Sequence, residues 1–386
     1  MIEDMMYLDH AAATPVDPVV LDAMLPFFSE KFFNPSSPYS RGVEVKHDYA
    51  GAKQLIAKSL GAQADELVMT AGATESINIA FTACQGPVLV SAVEHVAAIA
   101  AAERTGRATR IMPDKKGRIT AEAVASALTP ETTFVSVGLV NNELGTVQPI
   151  EDIGRVLEAE RLRRQATGDR TPLLFHCDAS QAAALIDIRV KRLGVDLLTL
   201  SAAKVYGPKQ VGLLWVRPGV QLRPTVVGGG QEGGLRSGTE NVAGVVGFAK
   251  ALDMAGKRRS SELHRLREIR DNMQRELEAV FSDMVVSSDK KKGLVNFLHV
   301  SFPGIDAERL IFWLETRGVM VATGSACAAN KDTKSHVLEA IGLDDSLIRG
   351  SLRISLGRLS TDDSARRATE LIIEAVQTEK ARMARS

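Results

Sequence analysis

The sequence has no excess of charge of either sign, no motif-spaced cysteines and no long apolar run. Its 47 Lys and Arg residues face 47 Asp and Glu residues, a formal net charge of zero. Broad electrostatic binding to nucleic acid or to an anionic membrane needs a field of one sign, so neither is expected as a direct partner. Only three cysteines occur, Cys84, Cys177 and Cys327. They lie too far apart for a Cys-x-x-Cys zinc or redox motif, and an odd number leaves at least one thiol free or intermolecular. No stretch of about 18 apolar residues is available to cross a bilayer. The alanine-rich segment near residue 97 is bounded by Glu94, His95 and Glu103. The start, Met1-Ile-Glu-Asp-Met-Met-Tyr7, lacks the basic and apolar regions of a secretory signal. A reducing, cytoplasmic setting is therefore expected.

What remains is an ordinary globular mixture. Hydrophobic residues make up 45% of 386 and charged residues 24%, enough to bury a core in two or three domains. From residue 50 to 215, short apolar runs alternate with helical patterns. Glu66–Thr70, Pro87–Val93, Thr132–Val140, Leu173–Cys177 and Asp196–Ser201 read as strands buried on both faces of a parallel sheet. Thr120–Leu128 and Ile150–Arg164 read as helices between them. This alternation predicts a doubly wound α/β domain. A glycine-dense loop follows at Val227–Gly238, then a charged amphipathic helix at Ser260–Val280. Beyond Leu294 the order is strand, helix (Asp306–Arg317), strand (Val319–Thr323), loop, helix, strand (Ser351–Leu356) and closing helix (Asp362–Thr378). That order suits a smaller α+β domain, with residues 1–15 packed against it and Lys380–Ser386 as a frayed basic tail.

Ligands of open parallel sheets bind beyond the carboxyl ends of the strands. The first predicted strand runs into Ala71-Gly72-Ala73-Thr74-Glu75-Ser76, a glycine turn opening a helix, which suits an anion. Thr74 or Ser76 acting only as a helix cap is the plainer alternative. The next strands end at Glu94-His95, at Asn141-Asn142-Glu143, at Asp178 with Ser180 and Gln181 beyond, and at Ser201-Ala202-Ala203-Lys204. An anion site, an imidazole, amides, a carboxylate and an amine would then share one cleft. The set fits a phosphorylated aldehyde cofactor. The helix start takes the phosphate, Lys204 forms a Schiff base, and Asp178 holds the ring nitrogen protonated so that the ring is an electron sink. His95 would stack on the ring, and Gln181 or Asn142 would reach its phenolic oxygen.

Three rival motifs are weaker. Ser201-x-x-Lys204 has the form of the penicillin-binding serine motif, but the accompanying Ser-Asp-Asn and Lys-Thr-Gly are missing. Gly228-x-Gly230-x-x-Gly233 resembles a dinucleotide fingerprint, yet it lies late in the chain and does not open a helix at once. His176, Cys177 and Asp178 are neighbours on one strand and point to alternate faces, so no metal is expected there.

The segment Thr323-Gly324-Ser325-Ala326-Cys327-Ala328-Ala329-Asn330 lacks large apolar side chains. It predicts an exposed, flexible loop whose thiol is free to act as a nucleophile. Cys84 and Cys177 sit in apolar contexts and read as structural.

These residues together resemble the cysteine desulfurases of the NifS/IscS type, in the class V aminotransferase superfamily. The likeness rests on Tyr7-Leu-Asp-His-Ala-Ala-Ala-Thr14-Pro, Asn34-Pro-Ser-Ser, Ala71-Gly-Ala-Thr-Glu-Ser76, Glu94-His95, Val140-Asn-Asn-Glu-Leu-Gly145, His176-Cys-Asp-Ala-Ser-Gln181, Lys204-Val-Tyr-Gly-Pro208, Arg236-Ser-Gly-Thr239, Gly324-Ser-Ala-Cys327 and Ser351-Leu-Arg353-Ile-Ser-Leu-Gly-Arg358. It covers nearly the whole chain, and the segment after Cys327 has the length of the longer-loop subgroup.

The resemblance implies the PLP-dependent transferase fold type I. A large cofactor-binding α/β domain would span residues 16–258. A smaller α+β domain, from 1–15 and 259–386, would carry the catalytic cysteine loop. It implies pyridoxal 5'-phosphate (PLP) as cofactor and L-cysteine as substrate. Lys204, His95 and Cys327 would be catalytic, with sulfur carried as a persulfide on Cys327. Ala73, Thr74, His95, Asn142, Asp178, Gln181, Ser201 and Lys204 would contact the cofactor, and Thr239 would reach the phosphate of the other subunit of a homodimer. Arg353, Asn34 and Asn142 would bind the substrate. A protein sulfur acceptor, such as an iron–sulfur scaffold or a tRNA-thiolation enzyme, would take the product sulfur. One departure stands out: the family usually has Ser-Gly-His-Lys where this chain has Ser201-Ala-Ala-Lys204. Loss of one charge-assisted hydrogen bond lowers affinity by roughly one to two orders of magnitude unless another group compensates.

Overall fold

A computed structural model describes residues 5–323 and 334–385. The strands in chain order are β1 (Met6–Tyr7), β2 (Leu67–Thr70), β3 (Val88–Ser91), β4 (Ala108–Ile111), β5 (Phe134–Ser136), β6 (Leu174–Asp178), β7 (Leu197–Ser201), β8 (Gly212–Val216), β9 (Val285–Val286), β10 (Phe297–Ser301), β11 (Val319–Met320) and β12 (Ser351–Ser355). The main sheet has seven strands in the order β2-β8-β7-β6-β5-β3-β4. The β3, β4, β5, β6 and β7 pairings are parallel, and β8 runs antiparallel to both neighbours. Because β8 is reversed between them, β2 points the same way as β7. Six strands thus present their carboxyl ends along one edge. The chain leaves β3 for β4 on one side and returns through β5 to β6 on the other, so a crevice opens between β3 and β5, as at the switch points of other open α/β sheets.

Local sequence explains this sheet. β2, β3, β5 and β7 are buried at every position and are mostly apolar, as strands covered on both faces must be. Two strands were not legible. β4 has an exposed middle, Thr109-Arg110, because it is the edge strand, so its apolar signal is weak. β8 follows β7 after a short loop and is antiparallel, an orientation that its buried Gly-Leu-Leu-Trp composition does not reveal.

A three-stranded antiparallel sheet, β12-β10-β9, forms the second core region. β1 pairs in parallel with β11, and Asp9 bridges to Ser355, so the N-terminal segment lies against the elements that follow residue 280. The helix expected at Ser260–Val280 is longer. It runs without interruption from Val242 to Val280, capped by Asn241, whose side chain accepts from the Gly244 N–H. The expected boundary at residues 258 and 259 therefore falls inside a continuous helix. Its early glycines hid the first half. Gly247 packs closely, since a Cβ there would lie 2.5 Å from Met24 Sδ on the Pro18–Met24 helix. The expected frayed tail is corrected as well: the closing helix extends from Asp362 to Met383, and Lys380 pairs with Asp283 at 2.8 Å.

One backbone contact sets the position of the glycine turn after β2. At Gly212, the first residue of β8, a Cβ would meet the Gly72 carbonyl carbon at 2.6 Å, Gly72 Cα at 2.7 Å and Leu200 O at 2.9 Å. All three are backbone atoms that cannot swing aside. Gly212→Ala should therefore destabilise the protein by about 1–3 kcal/mol, as overpacked sites do. Thermal denaturation checks this, and a midpoint equal to that of the unmodified chain would refute the close approach.

Candidate active site

The carboxyl-end edge of the main sheet is hollowed into a cavity of about 680 Å³. Its walls include Ala73, Thr74, His95, Asn142, Asp178, Gln181, Ser201, Lys204 and Arg353. Residues predicted from five separate strand ends and from β12 thus meet in one space. Asn34 and Thr239 do not line it. Both are exposed, and Asn34 turns its Oδ1 to the Ser36 N–H at 2.8 Å within its own loop. Cys327 lies outside the described residues.

The helix Ala73–Ala80 begins at Gly72, whose φ of 144° is open to glycine and strained for other residues. No side chain caps this helix through Gly72. Ser76 instead bonds the Thr70 hydroxyl at 2.7 Å, and the Glu75 carboxylate accepts from the Ala71 N–H. The simple cap reading of Thr74 or Ser76 is thus not what forms. The first-turn N–H groups and the exposed Thr74 face the cavity, and the helix dipole favours an anion there.

Lys204 lies on the short 3₁₀ turn after β7. Its Nζ donates to the carbonyls of Ala11 at 2.7 Å and Ala12 at 2.5 Å. The Gln181 amide also donates to Ala11 O, at 2.8 Å. The segment Tyr7–Thr14 is therefore a wall of the site, holding the amine from the side opposite the sheet. Asp178 ends β6, and its Oδ1 accepts from both the N–H and the hydroxyl of Ser180, at 2.9 and 2.6 Å. Those bonds fix the carboxylate.

His95 caps the helix Val96–Glu103 with its Nδ1, which accepts from the Ala97 N–H at 3.1 Å. The neutral ring therefore carries its proton on Nε2. Burial lowers the His95 pKa, and the charges of Lys204 and His336 act in the same direction against Asp178, so the ring is neutral at pH 7. Next to it Glu94 is buried, with one carboxyl oxygen accepting from His95 N–H at 3.2 Å and the other without a partner among the described residues.

Arg353 brings the second sheet to the cavity. Its guanidinium is 2% exposed and donates to Asp9 Oδ1 at 2.7 Å and to Asn142 O at 3.2 Å. Sequence reasoning did not single out Asp9, Glu94, Asn141 or His336. Asn141 is a clamp: its amide donates to Val93 O at 2.7 Å, while its Oδ1 accepts from the N–H groups of Glu143 and Leu144. His336 Nε2 bonds Glu94 O at 2.9 Å, and the Ser335 hydroxyl donates to Glu143 at 2.5 Å. Asp9 lay in plain view within the Tyr7–Thr14 motif. Glu94 and Asn141 lay in the strand-end motifs without a role of their own, and His336 had no local signal, because its partner Glu94 is distant in sequence.

The remaining polar residues of the core are structural. His176 bonds Ser136 at 2.9 Å and Thr199 at 3.0 Å. Burial pushes the Cys84 thiol up to about 12 and raises that of Cys177 as well, so neither is a ready thiolate. Among the described residues no cluster of His, Cys, Asp and Glu could hold a metal ion, and no helix is long and apolar enough to cross a membrane.

With this geometry described, comparison with known proteins defines the class. The family profile described as Aminotransferase class-V matches residues 6–367. The cysteine desulfurase IscS of Dictyoglomus turgidum is 37% identical over 387 aligned positions, covering 97% of this chain and 95% of that protein. A solved NifS-like protein superposes with a TM-score of 0.88 at 31% identity, covering 97% of this chain and all of the other. SspA, solved in complex with cysteine, matches with a TM-score of 0.75 at 34% identity, over 91% of this chain and 98% of its own. The chain belongs to the class-V aminotransferase family, among its cysteine desulfurases of the NifS/IscS type.

Burial of Glu94 and Glu143 has a consequence for stability. Burial pushes the Glu94 carboxyl up to about 8, reinforced by Asp178, and that of Glu143 up to about 7. Each binds a proton in the folded chain that it has lost, above the ordinary glutamate value of 4.5, in the unfolded one. Stability from these acids is thus complete at low pH and is lost as pH rises toward 8. His10 and His176, lowered by burial to about 4, and His299, lowered to about 3, act the other way. Their neutral rings resist protonation, so stability rises with pH up to the unfolded histidine value of about 6.5. Three histidines outweigh two acids below that value, and only the acids titrate above it. The ligand-free protein should be most stable near pH 6.5 by these groups and weaken toward pH 8.5. Glu94→Gln should flatten that alkaline decline, measured by thermal melts at pH 6.5 and 8.5. A variant that declines in parallel with the unmodified chain would show that Glu94 is not proton-loaded.

Proposed function

We propose that this chain is a PLP-dependent cysteine desulfurase that removes sulfur from L-cysteine, releases L-alanine and keeps the sulfur as a persulfide on Cys327. The observation that carries the reading is the meeting, in one cavity, of Lys204, Asp178, His95, an uncapped helix start and a buried arginine. The relatives named cysteine desulfurase and the neighbour solved with cysteine support the same substrate.

The donor set fits PLP. A cavity of this size suits a small cofactor with its substrate. An amine, a fixed carboxylate and an anion-binding helix start are the three groups that an aldehyde, a pyridine nitrogen and a phosphate require. Lys204 would hold the aldehyde and Asp178 the ring nitrogen. Ala73, Thr74 and Ser201 would hold the phosphate, while His95, Asn142 and Gln181 would position the ring. Bound there, the cofactor supplies an electron sink beside the substrate carbon.

The chain's own residues supply the rest. Arg353 binds the substrate carboxylate, oriented by Asp9 and by the Asn142 carbonyl. Lys204, freed once the substrate amine takes its place and kept close by the carbonyls of Ala11 and Ala12, takes the α-proton as general base. His95 has Nδ1 committed to Ala97, so its Nε2–H is offered to the substrate sulfur as a hydrogen-bond donor. The Cys327 thiolate attacks the substrate sulfur. As the new sulfur–sulfur bond forms, the carbon–sulfur bond breaks and its electron pair stays on the carbon skeleton, which takes one proton from solvent, regains the α-proton from Lys204 and leaves as alanine. Both ends of the span containing Cys327 adjoin the cavity. Ala322 O accepts from the Arg353 backbone N–H at 2.8 Å, and His336 is bonded to Glu94 O. A sulfur-acceptor protein, such as an iron–sulfur scaffold or a tRNA-thiolation enzyme, then takes the persulfide sulfur. A thiol chemistry of this kind fits a reducing, cytoplasmic setting.

We further assign a homodimer, in which Thr239 and Asn34 serve the neighbouring site. Both are exposed in the single chain, and Leu25, Phe28 and Phe32 form an exposed apolar surface nearby in sequence to Asn34, Phe28 and Phe32 being 63% and 65% exposed. The large and small domains, at 16–258 and at 1–15 with 259–386, would be joined through the Val242–Val280 helix.

Two experiments test the activity. Purified protein with PLP, L-cysteine and reductant should yield alanine and sulfide together. Cys327→Ser should abolish the persulfide, detected by thiol-specific labelling, while the visible absorbance of the bound cofactor persists. Full turnover by Cys327→Ser would defeat the assigned role. Arg353→Gln should raise KM for cysteine roughly 10- to 100-fold, the loss of a charge-assisted contact. Steady-state kinetics decide this, and an unchanged KM would remove Arg353 from the substrate site.

A further inference from the structure

Three non-glycine residues among those described have a left-handed backbone: Tyr206 (φ 65°), Gln210 (φ 57°) and Glu232 (φ 50°). Two of them are held there by visible contacts. The Tyr206 hydroxyl accepts from Arg358 N–H at 2.6 Å, and its ring faces the Arg358 guanidinium at 4.0 Å. Glu232 accepts from Tyr49, from Lys53 at 3.0 Å and from Met69 N–H at 2.8 Å. Gln210 has no such explanation. It is exposed, and its carboxamide makes no hydrogen bond among the described residues. Glycine would adopt this φ without strain, so the side chain is kept at a backbone cost.

The location of Gln210 gives that side chain a use. It lines the same cavity as Lys204, Thr74 and Ser201. Two residues later, Gly212 touches the backbone of Gly72, so the Lys209–Gly212 segment runs along the start of the Ala73–Ala80 helix. Ala203, on the same wall, presents only a methyl group. Lys209 Nζ is directed to Thr14 O at 3.4 Å.

We infer that Gln210 is a phosphate ligand of the cofactor site. Its carboxamide N–H donates to a phosphate oxygen held at the first turn of the Ala73–Ala80 helix and supplies a contact that Ala203 does not make. The inference rests on the PLP reading above and assigns a binding residue within it.

Gln210→Gly tests this directly, because it removes the carboxamide while relaxing the backbone. Binding to the ligand-free protein is read by fluorescence titration with PLP and, separately, with pyridoxal, which lacks the phosphate. Gln210→Gly should weaken PLP binding roughly tenfold, the loss of one hydrogen bond to a charged group. Pyridoxal affinity should change less than about twofold, and the thermal midpoint should stay level or rise. In ³¹P NMR, the bound phosphate resonance should shift relative to that in the unmodified protein. Unchanged PLP affinity in Gln210→Gly, or equal losses for PLP and pyridoxal, would overturn the assignment while leaving the desulfurase reading intact. An unmodified protein that binds no PLP would overturn both.

Discussion

The site depends on strand direction. Six strands of the main sheet point one way, so their carboxyl ends share one edge, and the β3/β5 switch point opens a crevice there. Five of these strands deliver a group: a helix start from β2, an imidazole from β3, an amide from β5, a carboxylate from β6 and an amine from β7. None of these residues is unusual by itself. Their chemistry arises because mostly apolar strands are buried on both faces, so the polar side chains that face a ligand gather where the strands stop. Strand β8, although reversed, tightens this edge through the backbone contact of Gly212 with Gly72.

A second interaction joins the two sheets. Arg353 comes from β12, Asp9 from the N-terminal segment and Asn142 from the loop after β5, and the three meet through the guanidinium. A buried arginine is costly unless paired and hydrogen-bonded, so this cluster holds its parts in a narrow range of geometry. The same N-terminal segment offers the carbonyls of Ala11 and Ala12 to Lys204. Substrate carboxylate binding and amine positioning are thus coupled through one short stretch, Tyr7–Thr14. Burial raises the Glu94 carboxyl to about 8, which favours a neutral neighbour for His95 and disfavours a second negative charge near Asp178.

Much of this was readable before any coordinates. Apolar runs located β2, β3, β5, β6 and β7 because two-sided burial writes itself into composition, and the polar residues after them identified the site. The edge strand β4 was hidden by its exposed Thr109 and Arg110. The first half of the Val242–Val280 helix was masked by its glycines, of which Gly244 lies close to Val211 and Gly247 close to Met24, approaches visible only in three dimensions. The Asn141 bond to Val93 O and the His336 bond to Glu94 O join residues far apart along the chain, and no local pattern encodes such pairing. Gln210 escaped notice for a different reason: its significance lies in a backbone angle and in its position on the cavity wall, not in its residue type.

The most direct measurement is the site of covalent cofactor attachment. Protein loaded with PLP is reduced with borohydride, digested and mapped by mass spectrometry. The account expects a single pyridoxyl label on the peptide containing Lys204. A label on Lys209 or another lysine instead, or no label after loading, would contradict it.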